Sequence, residues 1–300
     1  MLRVVLIGCG DIAQRTAALL RDRVLLHGVT RRKDATDKLR ASGIVPVVAD
    51  LDDFRSLARL AGAPFAVLHF APPDGVGHDD SRTRRLLAFF ARAGNVPRRF
   101  VYISTSGVYG DCGGARIDET RPRTASTARG KRRVVAEDRI RRWATRHGVA
   151  ATILRVPGIY ADTRLPTERI RSATPVLAPE HDVYTNHIHA DDLARAVVAA
   201  MFRGATNRAY HVSDDAEMTA SSWFDAVADA FALPRPPRVS RAEARTSLTP
   251  VSRSFLSESR RLVNARMKRE LRVALRYPTP QTLLQRIARR DSRRQLPLAL

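Results

Sequence analysis

The chain opens with Val4-Val5-Leu6-Ile7-Gly8-Cys9-Gly10-Asp11-Ile12-Ala13, which sets Gly8-x-Gly10-x-x-Ala13 between a β-branched apolar run and a helical pattern. Such a turn is suited to holding a pyrophosphate. Gly8 permits the tight turn, Gly10 lets an anion approach the main chain, and small Ala13 lets helix and strand pack closely. The free N–H groups at the helix start, from Asp11 and Ile12 onward, supply donors. At the end of the second apolar run, where a site for an unphosphorylated ribose places an acid, the chain reads Thr30-Arg31-Arg32. Two guanidiniums favour a 2′-phosphate, because arginine pairs bidentately with phosphate. NADP is the expected cofactor, with NAD as the alternative. Asp50, followed by Leu51, closes the third apolar run and either caps the next turn or faces the adenine.

Other chemistry-bearing spacings carry less. His187-x-His189-x-Asp191-Asp192 places two imidazoles and two carboxylates together, as a metal site would. A binuclear hydrolase needs a histidine at the last position, however, and Asp191 reads as a helix-start residue. The Ser104-Thr105-Ser106-Gly107 stretch lacks the Gly-x-Ser-x-Gly elbow of a serine hydrolase. Cys9 and Cys112 are the only cysteines among 300 residues, too few for a disulfide framework, so a reducing cytosol is the expected setting.

Charge invites a different reading. Against 30 acidic residues stand 52 basic ones, a net of +22, which fits an anionic partner such as nucleic acid. All but Lys33, Lys38, Lys131 and Lys268 of those bases are arginine, a skew that codon usage explains as well as function does. The last fifty residues hold 13 basic and 3 acidic side chains, yet no block reaches five or six consecutive like charges and the aromatics do not interleave with the arginines. The pattern argues against nucleic acid. Membrane spans are not expected either, since Arg or Asp interrupts every apolar run before the ~18 residues a spanning helix needs.

The elements that must position the glycine turn follow from period. Apolar runs at 3–8, 24–30, 44–50, 65–70, 99–104 and 150–155 read as strands buried on both faces, and the patterns at 11–21, 53–61, 80–93, 131–147 and 190–203 read as helices between them. That alternation predicts βαβ units and a parallel sheet. Beyond 155 prolines loosen the rhythm, and two further helices, near 219–232 and 257–270, fit a smaller lobe. The basic stretch 258–271 is expected to be an amphipathic helix, with Leu262, Val263, Met267 and Leu271 on one face.

Several segments, in order, resemble the NAD-dependent epimerase/dehydratase family, the extended or atypical branch of the short-chain dehydrogenase/reductases. They are IGCGDIA at 7–13, HFAPP at 69–73, FVYISTSGVYGD at 100–111, IDET at 117–120, ILRVPGIY at 153–160, NHIHADDLARAVVAA at 186–200 and SESRRLVNARMKREL at 257–271. The resemblance implies that Ala71 and Pro72 line the cofactor and that Thr105, four residues before Tyr109, holds the reacting oxygen of a substrate. It also implies a Tyr-x-x-x-Lys pair on the helix near 127–137, whose lysine lowers the tyrosine pKa for general acid/base work. This chain departs from that pattern. Counting back from Glu137 puts Arg129 and Arg133 at the two positions, and a two-residue shift gives Thr127 and Lys131. Neither register holds a tyrosine, so the usual relay lacks its phenol. Arg133 or Lys131 is left to hold the nicotinamide ribose or a phosphate, and Tyr109 or Tyr160 to supply a phenol.

The expectation is therefore a cytoplasmic α/β protein with a Rossmann-type doubly wound parallel sheet and a smaller C-terminal substrate lobe. Residues 1–155 form the cofactor domain, with 183–215 returning to it, and the remainder of 156–300 forms the lobe. The resemblance implies an NAD(P)-dependent oxidoreductase or epimerase/dehydratase acting on a sugar nucleotide or small carbonyl compound, and a homodimer. The rival is a binding protein that senses NADP without chemistry.

Overall fold

A computed structural model describes residues 1–60, 62–92 and 94–295. The final residues of two expected helices, 61 and 93, and the end of the chain beyond 295 lie outside the described residues. The strands of the main sheet are β1 (Leu2–Ile7), β2 (Val24–Thr30), β3 (Val45–Val48), β4 (Ala66–His69), β5 (Arg99–Thr105), β6 (Ala150–Val156) and β7 (Arg208–His211). They pair in parallel in the order β7-β6-β5-β4-β1-β2-β3. The first three strands run outward from β1, and the chain then crosses to β4 on its other side. This reversal opens a crevice at the carboxyl ends of β1 and β4, where open α/β sheets bind ligands.

Alternating apolar residues bury both faces of the sheet. Val4 and Leu6 of β1 face α1 (Asp11–Leu20), α2 (Thr36–Ala41) and the later helix Ala190–Arg203, against Ala17, Leu20, Leu39, Leu193 and Val197. Val5 and Ile7 face the opposite way, toward a 3₁₀ segment at Phe54–Leu60, α3 (Ser81–Arg92) and α4 (Ala128–His147), against Leu57, Leu86, Phe90, Ala136 and Ile140. A strand buried on both faces favours apolar residues at most positions, which is why these runs stand out in the sequence. A separate apolar cluster joins Tyr160, Ile170, Trp223, Phe224, Tyr277 and Leu284, drawn from segments after β6. Among the described residues no helix is long and apolar enough to cross a membrane.

Two expectations are corrected here. Of the helix expected at 53–61, Phe54–Leu60 forms 3₁₀ turns rather than an α-helix. The stretch 257–270 is not one helix: Arg261–Leu262 pairs in parallel with Arg116–Ile117, and only residues 265–271 are helical, as a turn that continues into a π-helix at Met267–Leu271. The cause is tertiary. Asn186 Oδ1 accepts from Leu262 N–H, Asp111 accepts from Ser259 N–H, and Ser259 C=O accepts from Cys112 N–H and Gly114 N–H, which holds the backbone extended. Such ladders outweigh a few tenths of a kcal/mol per residue of helix propensity.

Candidate functional site

The glycine turn sits at the crevice. Gly8 adopts φ +88°, and a Cβ there would approach the Ala71 main-chain nitrogen to 3.0 Å, so only glycine fits between β1 and the end of β4. Gly10 is the N-cap of α1 and gives it no side-chain cap, which leaves the first-turn N–H groups open. A Cβ added at Gly10 would meet nothing within 4 Å. An anion needs this combination of open space beside unpaired donors.

A cleft of about 700 Å³ extends from the turn, within the ~300–1,000 Å³ range of cofactor sites. Gly8, Gly10, Asp11, Ile12, Ala13, Arg31, Arg32, Asp50, Leu51, Ala71 and Pro72 all line it. Sequence reasoning missed Lys38, Arg82, Ile103, Ile159 and Arg164 among its walls. Asp50 caps the next turn, its Oδ1 accepting from Asp52 N–H at 2.9 Å, and it also lines the cleft. The Arg82 guanidinium donates to Asp52 Oδ2 through Nε and Nη2, at 3.0 and 2.8 Å, and this bond holds the Asp52 carboxyl below its usual range. Cys9 also lines the cleft, but burial pushes its thiol up to about 12 and its Sγ donates to Val29 C=O. It stays protonated and is no nucleophile.

At the end where a substrate would enter, the expected residues separate. Of Thr105, Tyr109, Lys131 and Arg133, only Arg133 lines the cleft. Its Nη1 donates to Tyr102 Oη at 2.9 Å and to Ile103 C=O at 2.7 Å, which ties α4 to the end of β5. Lys131 is exposed on α4, and Thr127 is the N-cap of that helix, accepting from Gly130 N–H at 3.1 Å. Of the two registers, the one counted from Glu137 brings a residue, Arg133, to the end of β5. Arg129 lies over the Phe255 ring at 4.2 Å. Near Gly107 stands the buried pair Glu258–Arg260, 2.8 Å apart, which the sequence did not mark out. Thr105 Oγ1, at the end of β5, accepts from Gly107 N–H at 3.2 Å.

A catalytic part for Tyr109 is corrected by its surroundings. The side chain is wholly buried, and its hydroxyl lies 2.5 Å from His211 Nε2 and 2.6 Å from Arg155 Nη1. His211 Nδ1 faces Val263 C=O, an acceptor, so Nδ1 carries the proton and Nε2 accepts from Tyr109. Burial pushes the phenol up to about 12 and the imidazole down to about 3, which fixes the direction of both bonds. Arg155 in turn forks onto Glu137 at 3.2 and 2.8 Å, and Ser104 donates to the same carboxylate at 2.6 Å. This is a satisfied structural network that welds α4, β5, β6 and β7 together. Tyr160 is likewise buried, packed 5.2 Å from the His189 ring.

The histidine motif resolves as packing. His187 and His189 are both buried, one against Trp223 at 4.5 Å and the other stacked on Tyr277 at 3.6 Å. Asp191 does stand in the first turn of the helix Ala190–Arg203, and His189 is the N-cap. Among the described residues no group of three or more potential ligands is arranged to hold a metal ion.

Comparison with known proteins adds a lineage to this geometry. The sequence model of the NAD dependent epimerase/dehydratase family matches residues 12–213. Comparison with curated proteins finds no match. Among solved structures, a functionally unknown conserved protein from Silicibacter pomeroyi is 29% identical, covering 97% of this chain and 99% of that one with a TM-score of 0.80. A dTDP-glucose 4,6-dehydratase from Streptomyces venezuelae with NAD bound is 18% identical at a TM-score of 0.75, covering 98% of each chain. UDP-glucose 4-epimerase from Thermotoga maritima is 17% identical at a TM-score of 0.77, covering 98% of this chain and 99% of that one.

Proposed function

Because the chain belongs to the NAD-dependent epimerase/dehydratase family, we propose that its cleft holds a dinucleotide, NADP(H) in preference to NAD(H), and that it is an oxidoreductase of a sugar nucleotide or small carbonyl compound. The observation that carries the cofactor reading is the clustering of Arg31, Arg32 and Lys38 on one cleft wall, with no carboxylate in Thr30-Arg31-Arg32. A 2′-phosphate carries ~1.5 to 2 negative charges near neutral pH and takes bidentate guanidinium bonds. The Gly8–Ala13 turn and the first N–H groups of α1 would hold the pyrophosphate, and Ala71, Pro72 and Ile159 would flank the rest. The bound dinucleotide would supply hydride chemistry at the nicotinamide.

The side chains near the nicotinamide end constrain the reaction. Thr105 would orient the reacting oxygen, and Arg133, anchored on Tyr102 and Ile103, would present positive charge beside it. A guanidinium stabilises developing negative charge but does not exchange its proton at ordinary pH. We assign residues 1–155 and 183–215 to the cofactor domain and the remainder of 156–300 to the substrate lobe.

A second reading, a sensor that binds the cofactor without turnover, is favoured by one observation: among the described residues no tyrosine lines the cleft. The experiment separating them loads purified protein with NADPH and follows nicotinamide absorbance against a panel of sugar nucleotides and small carbonyl compounds. Oxidation by any member supports the oxidoreductase. Tight binding with no turnover across the panel supports the sensor.

A further inference from the structure

The cleft is lined by six cationic side chains, Arg31, Arg32, Lys38, Arg82, Arg133 and Arg164, against the carboxylates of Asp11 and Asp50, so its described walls carry a net four positive charges. Five of the cations have a part already. Arg31, Arg32 and Lys38 stand at the ribose end, Arg82 is bonded to Asp52, and Arg133 to Tyr102 and Ile103. We infer that Arg164 is a pyrophosphate-binding residue that exchanges Asp11 for the phosphates of the cofactor. The inference rests on the cofactor reading above.

Geometry argues for that exchange. Arg164 Nη1 lies 3.6 Å from Asp11 Oδ2, beyond hydrogen-bond length, and 42% of its side chain is exposed. The other Asp11 oxygen accepts from Arg15 Nε at 2.8 Å, and Arg15 also reaches Asp191. Asp11 therefore remains neutralised when Arg164 leaves. Asp11 directly follows Gly10, so a guanidinium beside it already stands at the mouth of the turn where the anion belongs. Arg15 screens the carboxylate's repulsion of a pyrophosphate, and a guanidinium turned from Asp11 toward the cleft adds attraction.

The backbone below Arg164 is tied down, while its guanidinium is part-exposed and 3.6 Å from Asp11. Gly158–Tyr160 pairs with His187–His189, buried Ala161 accepts from Arg164 N–H at 2.8 Å, and Leu165 packs on the Tyr160–Trp223 cluster. Only side-chain rotation is needed to swing the guanidinium from Asp11 to the cleft. Arg31 and Arg32 follow the end of β2, the strand beside β1, whereas Arg164 stands beside Asp11 in the first turn of α1.

The test compares two probes on the full chain: NADPH, which has a pyrophosphate, and adenosine 2′-monophosphate, which lacks one. Arg164→Ala is expected to raise the NADPH dissociation constant ~10-fold or more and to leave that of adenosine 2′-monophosphate within about twofold, while Arg31→Ala weakens both. Asp11→Asn, which frees Arg164, is expected to bind NADPH at least as tightly as the unaltered protein. Unchanged NADPH affinity in Arg164→Ala, or equal weakening of both probes, would overturn the inference alone. If the unaltered protein binds neither probe, the cofactor reading falls and the inference with it. An unchanged melting temperature for Arg164→Ala without ligand shows that the fold is intact.

Discussion

In the proposed pose Arg31 and Arg32, which line the cleft, would face the 2′ position, where the two nicotinamide cofactors differ by a phosphate. Arg32 is exposed and pairs with Asp34 at 3.3 Å, a surface ion pair that a phosphate can displace at little cost. Replacing both arginines by alanine is expected to weaken NADPH binding by ~10- to 100-fold and NADH binding by less than threefold, as read by quenching of protein fluorescence. Equal losses for both cofactors would remove these side chains from phosphate recognition. Tyr109 belongs to a different category. Tyr109→Phe deletes a donor to His211 and an acceptor for Arg155, both buried, and is expected to cost about 1–3 kcal/mol in urea unfolding while leaving NADPH affinity unaltered. A large loss of affinity with unchanged stability would return the phenol to the site.

Between β1 and α1 the two glycines make opposite demands, which separates folding from binding within one turn. Gly8→Ala meets both an unfavourable φ and the Ala71 backbone at 3.0 Å, so it is expected to lower the melting temperature by several degrees. A Cβ at Gly10 meets no protein atom within 4 Å, so Gly10→Val is expected to fold normally but to lose dinucleotide binding, because its side chain would occupy the room of the anion. Differential scanning fluorimetry with and without NADPH distinguishes them, and a Gly10→Val protein still stabilised by NADPH would contradict the proposed pose. At this scale the sequence was readable where period and burial coincide. Strands such as Val24–Thr30 and the helix Ala190–Arg203 fell where their patterns put them, and the residues of the turn at Gly8–Ala13 line the cleft. β7 did not show, because Arg208-Ala209-Tyr210-His211 has no apolar run and is a strand only through pairing with β6. The stretch 257–270 misled for the converse reason: its helical spacing is real, but hydrogen bonds to residues 111–117 and 186 hold much of it extended. Lys38, Arg82 and Arg164 reach the site from segments far apart in the chain, and nothing in local spacing announces such meetings.

Taken whole, the molecule carries +22 yet concentrates its functional positive charge in one cleft, where six cations face two carboxylates. Its stability should also depend on pH in a definite way. Burial pushes His69 and His187 down to about 4 and His211 to about 3, so the fold keeps them neutral while the unfolded chain protonates them near 6.5. Their contribution is complete above about 6.5 and is lost as pH falls toward 3 to 4. Burial pushes the Asp214 carboxyl the other way, up to about 8, so its contribution is lost as pH rises from about 4 through 8. Three protons against one set the sign below 6.5, and urea midpoints are expected to peak near neutrality and fall on both sides. Asp214→Asn should flatten the alkaline limb; an unchanged limb would assign that loss elsewhere. The most direct test of the central claim is a parallel titration of the purified chain with NADPH and NADH at fixed ionic strength. The expected result is saturable binding of both, with NADPH at least tenfold tighter; tighter binding of NADH, or binding of neither, would contradict it.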